Sequence, residues 1–292
     1  MLTKYSFNAT YNPIGTVYNP STLAKIIHQS IYNKSIQADT LNQNKDVFCH
    51  FDYHSKYNSL LKKEVVKSIN ADLRALAIKL KSCDFIFLTL GTAIVHVEAK
   101  SGSIVGNCHK LPASYFSKRI LKVAEIKTLL KEVIKVLQEV NKNAKIIFTI
   151  SPVRHTKEGL VENAKSKSRL LAAVSELQER YEIGYFPSYE IMHDELRDYR
   201  YYKSDLIHPS KTAIKHIWEI FGTHYFSEQT LELNKKLKRI LVSAKHKAFH
   251  PKSSEHQAFL KTLLAKIEDL ESQEEHIELS KVKKKVSKQL MS

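Results

Sequence analysis

Phe85-Ile86-Phe87-Leu88-Thr89-Leu90, closed by Gly91, is the stretch whose reading decides the fold. The run is too short for a helix and nearly continuously apolar. It predicts a strand covered on both faces, as in a parallel sheet. Ahead of it Leu61, Val65, Ile69, Leu73, Leu76 and Leu80 recur every three or four residues, the spacing of one helical face. The same logic repeats downstream. Val123, Ile126, Leu130, Val133, Leu137 and Val140 predict a helix ended by Asn141 and Asn143. Lys145-Ile146-Ile147-Phe148-Thr149-Ile150 then predicts a second buried strand, stopped at Ser151-Pro152. A helix over about 160–180 leads to a third, shorter strand, Ile183-Gly184-Tyr185-Phe186. Helix then strand, three times over, defines βαβ units and a doubly wound α/β sheet.

Outside this frame the signals are weaker. Residues 5–11 are short, aromatic and roughly alternating, which predicts a strand before the turn Asn12-Pro13-Ile14-Gly15. Pro20 and Ser21 open a helix through about Ile31. Residues 33–58 have little periodicity and read as a long ordered loop or a small elaboration. Residues 94–106 suit a hairpin turning at Ser101-Gly102. After Pro209 a helix runs to about Tyr225, and residues 228–248 and 254–290 read as charged helices. Phe259, Leu263, Ile267 and Leu270 form one stripe there, able to pack back, to pair with a partner, or to project. The organisation expected is a main domain over 1–226 and a C-terminal helical extension over 227–292, through which the chain could self-associate.

Composition bounds the function classes. The chain has 292 residues, 43% of them hydrophobic, enough for a sizeable core. Formal net charge is +16, which invites an anionic partner, although the excess is scattered and a solvated basic surface is the plainer reading. Nucleic-acid binding ranks last, because no recognition motif accompanies the charge. Cys49, Cys83 and Cys108 form no Cys-x-x-Cys pair, so reduced thiols in a cytoplasmic protein fit best. Cys49, His50 and His54, with Cys108-His109, have only a loosely metal-like spacing; no metal and no cofactor is expected. No apolar run reaches the length of a bilayer span, so no membrane partner is expected.

In an open parallel sheet, ligands bind beyond the carboxyl ends of the strands. That rule selects the loops at 12–19, 91–110, 151–159 and 187–209, all crowded with polar residues. The last contains Asp205-x-x-His208. At this spacing one short turn can hold a carboxylate against Nδ1 of the imidazole while Nε2 faces the cleft, as a general base for a serine requires. About 0.4 such pairs are expected by chance in a chain of this composition. Its weight comes from its position, after the last strand and before a helix started by Pro209. The plainer readings are a helix-start histidine bonded to backbone and an aspartate that only caps. Arg154-His155 directly follows a strand and suits an anion or carboxylate of a substrate; the alternative is a salt bridge to Asp194, Glu195 and Asp198. Gly91 serves either a tight strand exit or close ligand approach. Tyr199, Tyr201 and Tyr202 read as packing residues.

Taken together, NPIGTVYNP (12–20), TLGTA (89–93), GNCHKLP (106–112), SPVRH (151–155), YFPSYEIMHDELRDYRYY (185–202) and DLIHPS (205–210) resemble the GSCFA family, a branch of the SGNH (GDSL-like) hydrolases. The resemblance extends to AKHKAFHPKSSEHQAFL (244–260). It implies a three-layer α/β/α sandwich with a flavodoxin-like parallel sheet, and ester hydrolysis or acyl transfer on a small-molecule acyl or ester substrate. It makes Asp205 and His208 the acid and base of a triad and Gly15 the oxyanion glycine. Gly91 falls where these enzymes carry Gly-x-Asn, but Gly91-Thr92-Ala93 lacks the asparagine, and Asn107 is the candidate to supply that amide.

The family is named for a Gly-Ser-Cys-Phe-Ala string that carries its nucleophile on the loop after its first strand. No such string occurs here. The expectation is a sheet lacking its first strand, with either a slot beside Phe85–Leu90 or residues 5–11 shifted into it, and a hydrolase site inactive as written. The chief alternative is a binding module that keeps the cleft without turnover.

Overall fold

The computed structural model describes residues 1–246, 248–274 and 277–290. It divides into two compact units, residues 12–217 and residues 1–11 with 218–292.

In the larger unit, α1 (Pro20–Ile31) begins as its sequence dictates. Pro20 sits in the first turn, and the Asn19 side chain accepts the N–H of Thr22 at 2.9 Å. A small hairpin of β1 (Asn42–Asn44) and β2 (Val47–Cys49) follows, in the segment expected to be a long ordered loop or a small elaboration. α2 (Lys62–Ser82) buries Val65, Ile69 and Leu73 against Ile14, Ile26, Ile36, Tyr53 and Tyr57, so that segment has an apolar cluster of its own.

The central sheet joins β3 (Phe85–Leu90), β7 (Lys145–Ile150) and β8 (Gly184–Phe186), all parallel, in the order β3-β7-β8. Between β3 and β7 the chain makes an antiparallel sheet from β4 (Ile94–Glu98), β5 (Ile104–Val105) and β6 (Phe116–Ile120). The β4–β5 hairpin was expected. Strand β6 was not, because Phe116-Ser117-Lys118-Arg119-Ile120 is short and polar, and pairing with β4 alone defines it.

Helices α3 (Val123–Val140) and α4 (Leu160–Gln178) flank the sheet with α1. Ile86, Leu88 and Leu90 of β3 lie in register with Ile146, Phe148 and Ile150 of β7. These six form one core with Ile27 and Ile31 of α1, Leu130 and Ile134 of α3, and Leu170 and Val174 of α4. The alternate residues behave differently. Phe85 and Thr89 are exposed, so β3 is covered fully on one face only, contrary to the reading of its apolar run. On β7 the second face is covered: α5 (Ser188–Glu190) places Ser188 so that its hydroxyl meets Thr149 Oγ1 at 2.7 Å and donates to the Ile150 carbonyl at 2.8 Å. A π-turn over Ile191–Glu195 continues that segment. The sheet is the expected helix-flanked parallel one, and β3 pairs along one edge only among the described residues. α6 (Lys211–Tyr225) runs on from this unit.

The smaller unit holds α7 (Glu228–Ser243), α8 (Ser254–Gln273) and α9 (Ser280–Ser287). Serines 227 and 253 cap the first two, each accepting an amide N–H at 3.2 Å. Leu260, Leu263, Ile267 and Leu270 are buried against Leu237 and Ile240. The helical stretch expected over 254–290 is carried by α8 and α9. Residues 5–11 form no strand. A 3-10 turn covers Leu2–Tyr5, and the rings of Tyr5 and Phe7 stack on Trp218 and Phe226 at 5.5 and 5.0 Å. Alternating aromatics need only an apolar surface, and here a helical cluster supplies it instead of a sheet.

No helix is long and apolar enough to cross a membrane among the described residues. No group of three or more His, Cys, Asp or Glu is placed to hold a metal ion among them either. Cys49 is buried, and Nε2 of His109 meets the carbonyl of His50 instead of a common centre.

Candidate active site

Asp205 and His208 meet as their spacing predicts. His208 Nδ1 lies 2.7 Å from Asp205 Oδ2. The second oxygen, Oδ1, accepts the backbone N–H groups of Ile207 and His208, both at 2.9 Å. Leu206 takes a left-handed conformation, φ 57°, which tightens the turn enough to make these bonds. The loop is closed at its base. Lys203 N–H donates to the His208 carbonyl at 2.8 Å, Ser210 N–H donates to the Tyr201 carbonyl at 2.7 Å, and Tyr202 bridges Pro209. Asp205 thus both caps its turn and holds the imidazole. His208 keeps Nε2 free of any protein hydrogen bond among the described residues, and half its side chain is exposed.

The hydrogen bonds from the backbone amides of His208 and Ile207, and then that from the imidazole, hold the Asp205 carboxyl down at about 2, against an ordinary 3.8. The sign follows directly. A depressed carboxylate contributes to stability at pH above 3.8, and that contribution fades as pH falls through about 2. The turn is therefore expected to stay formed throughout the neutral and mildly acid range. A carboxyl-carbon NMR titration of Asp205 checks this. A midpoint at or above 3.8 would show the turn is not held as described.

Around this loop the carboxyl ends of β3 and β7 carry a second set of groups. Arg154 donates from Nη2 to the Tyr202 hydroxyl at 3.1 Å and to His193 Nδ1 at 3.3 Å, and its guanidinium lies 4.9 Å from the centre of the Tyr202 ring. His193 Nε2 donates to the Pro152 carbonyl at 3.1 Å, so this histidine is neutral with its proton on Nε2. Burial, with the nearby Arg154 and Lys167 charges, pushes its pKa down. Two of the three acids expected as alternative partners of Arg154 are engaged elsewhere. Glu195 bonds His216, and Asp198 accepts the N–H of Arg200. His155 donates its backbone N–H to Asn163 Oδ1 at 2.8 Å, and its ring stands edge-on to Tyr18 at 5.7 Å. Burial and then the Lys167 charge lower its pKa as well.

Lys167 is the residue that sequence reasoning missed. It is 2% exposed, and its ammonium donates to the carbonyls of Gly91 at 2.6 Å and Ser151 at 2.7 Å. It therefore ties together the ends of the two central strands. Its neighbour Ser166 accepts the N–H of Ala93 at 2.7 Å and meets Thr92 Oγ1 at 3.0 Å. A signal was present. Asn163, Ser166, Lys167, Leu170, Val174 and Leu177 form the buried stripe of α4, and a lysine on such a stripe must find polar partners inside.

The backbone amides of the two glycines expected in an oxyanion hole are otherwise engaged. Gly15 N–H donates to the Asn12 carbonyl at 2.8 Å. Gly91 and Thr92 both donate to the Tyr18 carbonyl, at 2.8 and 2.9 Å. The close approach at Gly91 is therefore to Tyr18 backbone. Asn107 accepts the His109 N–H on Oδ1 at 2.9 Å and gives its own N–H to the Phe51 carbonyl at 2.8 Å. The glycine at 15 has a structural reason. Its φ is +87°, and a Cβ there would sit 2.4 Å from His54 Cβ. Gly15→Ala is expected to cost about 2–4 kcal/mol from strain plus overpacking. Circular dichroism during unfolding reads it; Trp218 fluorescence reports the smaller unit instead.

A parallel sheet flanked by helices, with an aspartate–histidine pair on the loop after its last strand, defines an α/β protein of the type that binds ligands beyond its strand ends. The family model for the GSCFA family matches residues 1–221, and that for the C-terminal domain of GSCFA domain proteins matches 226–292. The chain belongs to the GSCFA family. No curated protein and no solved structure matches it.

Proposed function

We propose that this chain supplies the acid–base half of a serine-hydrolase-type site acting on acyl esters. The observation that carries the reading is the 2.7 Å bond between His208 Nδ1 and an Asp205 held ionised, with Nε2 left open. In such a site a serine hydroxyl passes its proton to Nε2 as the oxygen attacks the acyl carbon. Asp205 supports the imidazolium that results. The imidazolium then protonates the leaving alcohol, and water completes the cycle by the reverse proton path. No Gly-Ser-Cys-Phe-Ala string lies within the 292 residues, so they are expected to show no triad-dependent turnover by themselves. No oxyanion step is assigned to Gly15 or Gly91, whose amides are already bonded.

The test is an assay with p-nitrophenyl acetate on the chain as given and on a form extended at its amino end by a segment bearing that string. Turnover only in the extended form, dependent on His208, supports the reading. The engaged glycine amides favour a second one, a binding module without turnover. Ligand affinity in an extended form that hydrolyses nothing would decide for it.

A further inference from the structure

We propose that the ligand of this site carries an anionic group, a carboxylate or a phosphate, seated on the guanidinium of Arg154. The proposal names the substrate class of the site above and rests on that reading only for what is done to the ligand, not for its binding.

Arg154 has five N–H donors. Nη2 alone is spent, on the Tyr202 hydroxyl and on Nδ1 of a neutral His193. The three donors on Nε and Nη1 have no protein partner among the described residues, and no carboxylate pairs with Arg154. The side chain is nonetheless half-buried, held over the Tyr202 ring and bonded to the Tyr202 hydroxyl. A held guanidinium with unspent donors is a receptor for a planar carboxylate or a phosphate face. The buried Lys167 bonds two carbonyl oxygens and no carboxylate. Tyr202 also places the seat beside the dyad, because its backbone bridges Pro209, the residue after His208.

Inorganic phosphate and malonate serve as probes, each titrated into the 292-residue chain and followed by calorimetry at low salt. One probe is expected to bind, and which one binds tells phosphate from carboxylate recognition. Arg154→Gln is expected to weaken binding at least about tenfold, the scale of one charge-assisted bidentate contact. Arg154→Lys is expected to retain part of it. Circular dichroism confirms that each variant is folded; should Arg154→Gln fail to fold, the Arg154→Lys comparison carries the result. Binding of neither probe, or equal binding by wild type and the Arg154 variants, overturns the proposal. The two readings fail separately. Anion binding with no turnover in the serine-bearing form sinks the hydrolase and leaves the seat. Equal turnover of neutral and anionic esters sinks the seat and leaves the hydrolase.

Discussion

His208→Ala, in a form of the chain extended by a serine-bearing segment, is expected to lower kcat on an activated ester by about 10^4-fold or more. The imidazole must accept the serine proton and return it to the leaving group, and nothing else in the loop can do either. Among the described residues the ring bonds only Asp205, which stays ionised to about pH 2 and cannot act as an acid near neutrality. Triad members act as a unit, so loss of the base removes nearly all that the nucleophile contributes. Asp205→Asn is expected to cost about 10^4-fold. An amide can still contact Nδ1, but it can favour the wrong tautomer and no longer supports an imidazolium. A His208→Ala variant that keeps more than about a tenth of the kcat would show that His208 is not the base. Background hydrolysis by exposed histidines is separated by running the unextended chain alongside.

Lys167→Met is expected to have the largest effect on stability, and its signature is in the pH dependence. Burial alone pulls the Lys167 pKa from 10.5 to about 7. The unfolded chain therefore binds a proton that the folded chain does not, from about pH 7 up to 10.5. Stability rises with pH wherever the unfolded state binds more protons. This one group adds up to about 1.4 kcal/mol for each pH unit in that window. Both protonation states can keep both hydrogen bonds, since even a neutral amine has two N–H donors. Methionine has nearly the same length but no donor. It leaves the carbonyls of Gly91 and Ser151 buried without a partner, at about 1–3 kcal/mol each. At pH 6 the variant also relieves a buried charge, and the two effects offset each other. At pH 9 the charge is already gone and the loss stands alone. Denaturant unfolding followed by circular dichroism between pH 6 and 9.5 gives the test. Wild type and variant lines should diverge as pH rises. Parallel lines would mean that Lys167 is solvated and ordinary.

Lys167 also links stability to the site. Its two acceptors terminate β3 and β7, and the segment after Ser151 carries Arg154 and His155. Loosening that tie is expected to move Arg154 off Tyr202 before the sheet itself is lost, because local openings cost less than global unfolding.

Whatever depends on neighbours within a turn or two is legible along the chain. The spacing of Val123, Ile126 and Leu130, the run Lys145–Ile150, the Pro20-Ser21 helix start and the Asp205–His208 turn all appear where local periodicity and turn chemistry place them, because the interactions that form them span only a few residues. The family strings likewise named the family from order and identity alone. The remainder is set by contacts between residues far apart in the chain. Whether the Gly91 amide is free turns on Tyr18, and whether Arg154 meets an acid or a tyrosine turns on Tyr202, nearly fifty residues away. Residues 5–11 alternate like a strand, yet aromatic alternation fixes only that one side is apolar, and the partner that buries it is chosen by packing. The same holds for Lys167. Its place on an apolar stripe is visible in the chain, but the two carbonyls that make burial of an ammonium tolerable come together only when two strands end side by side.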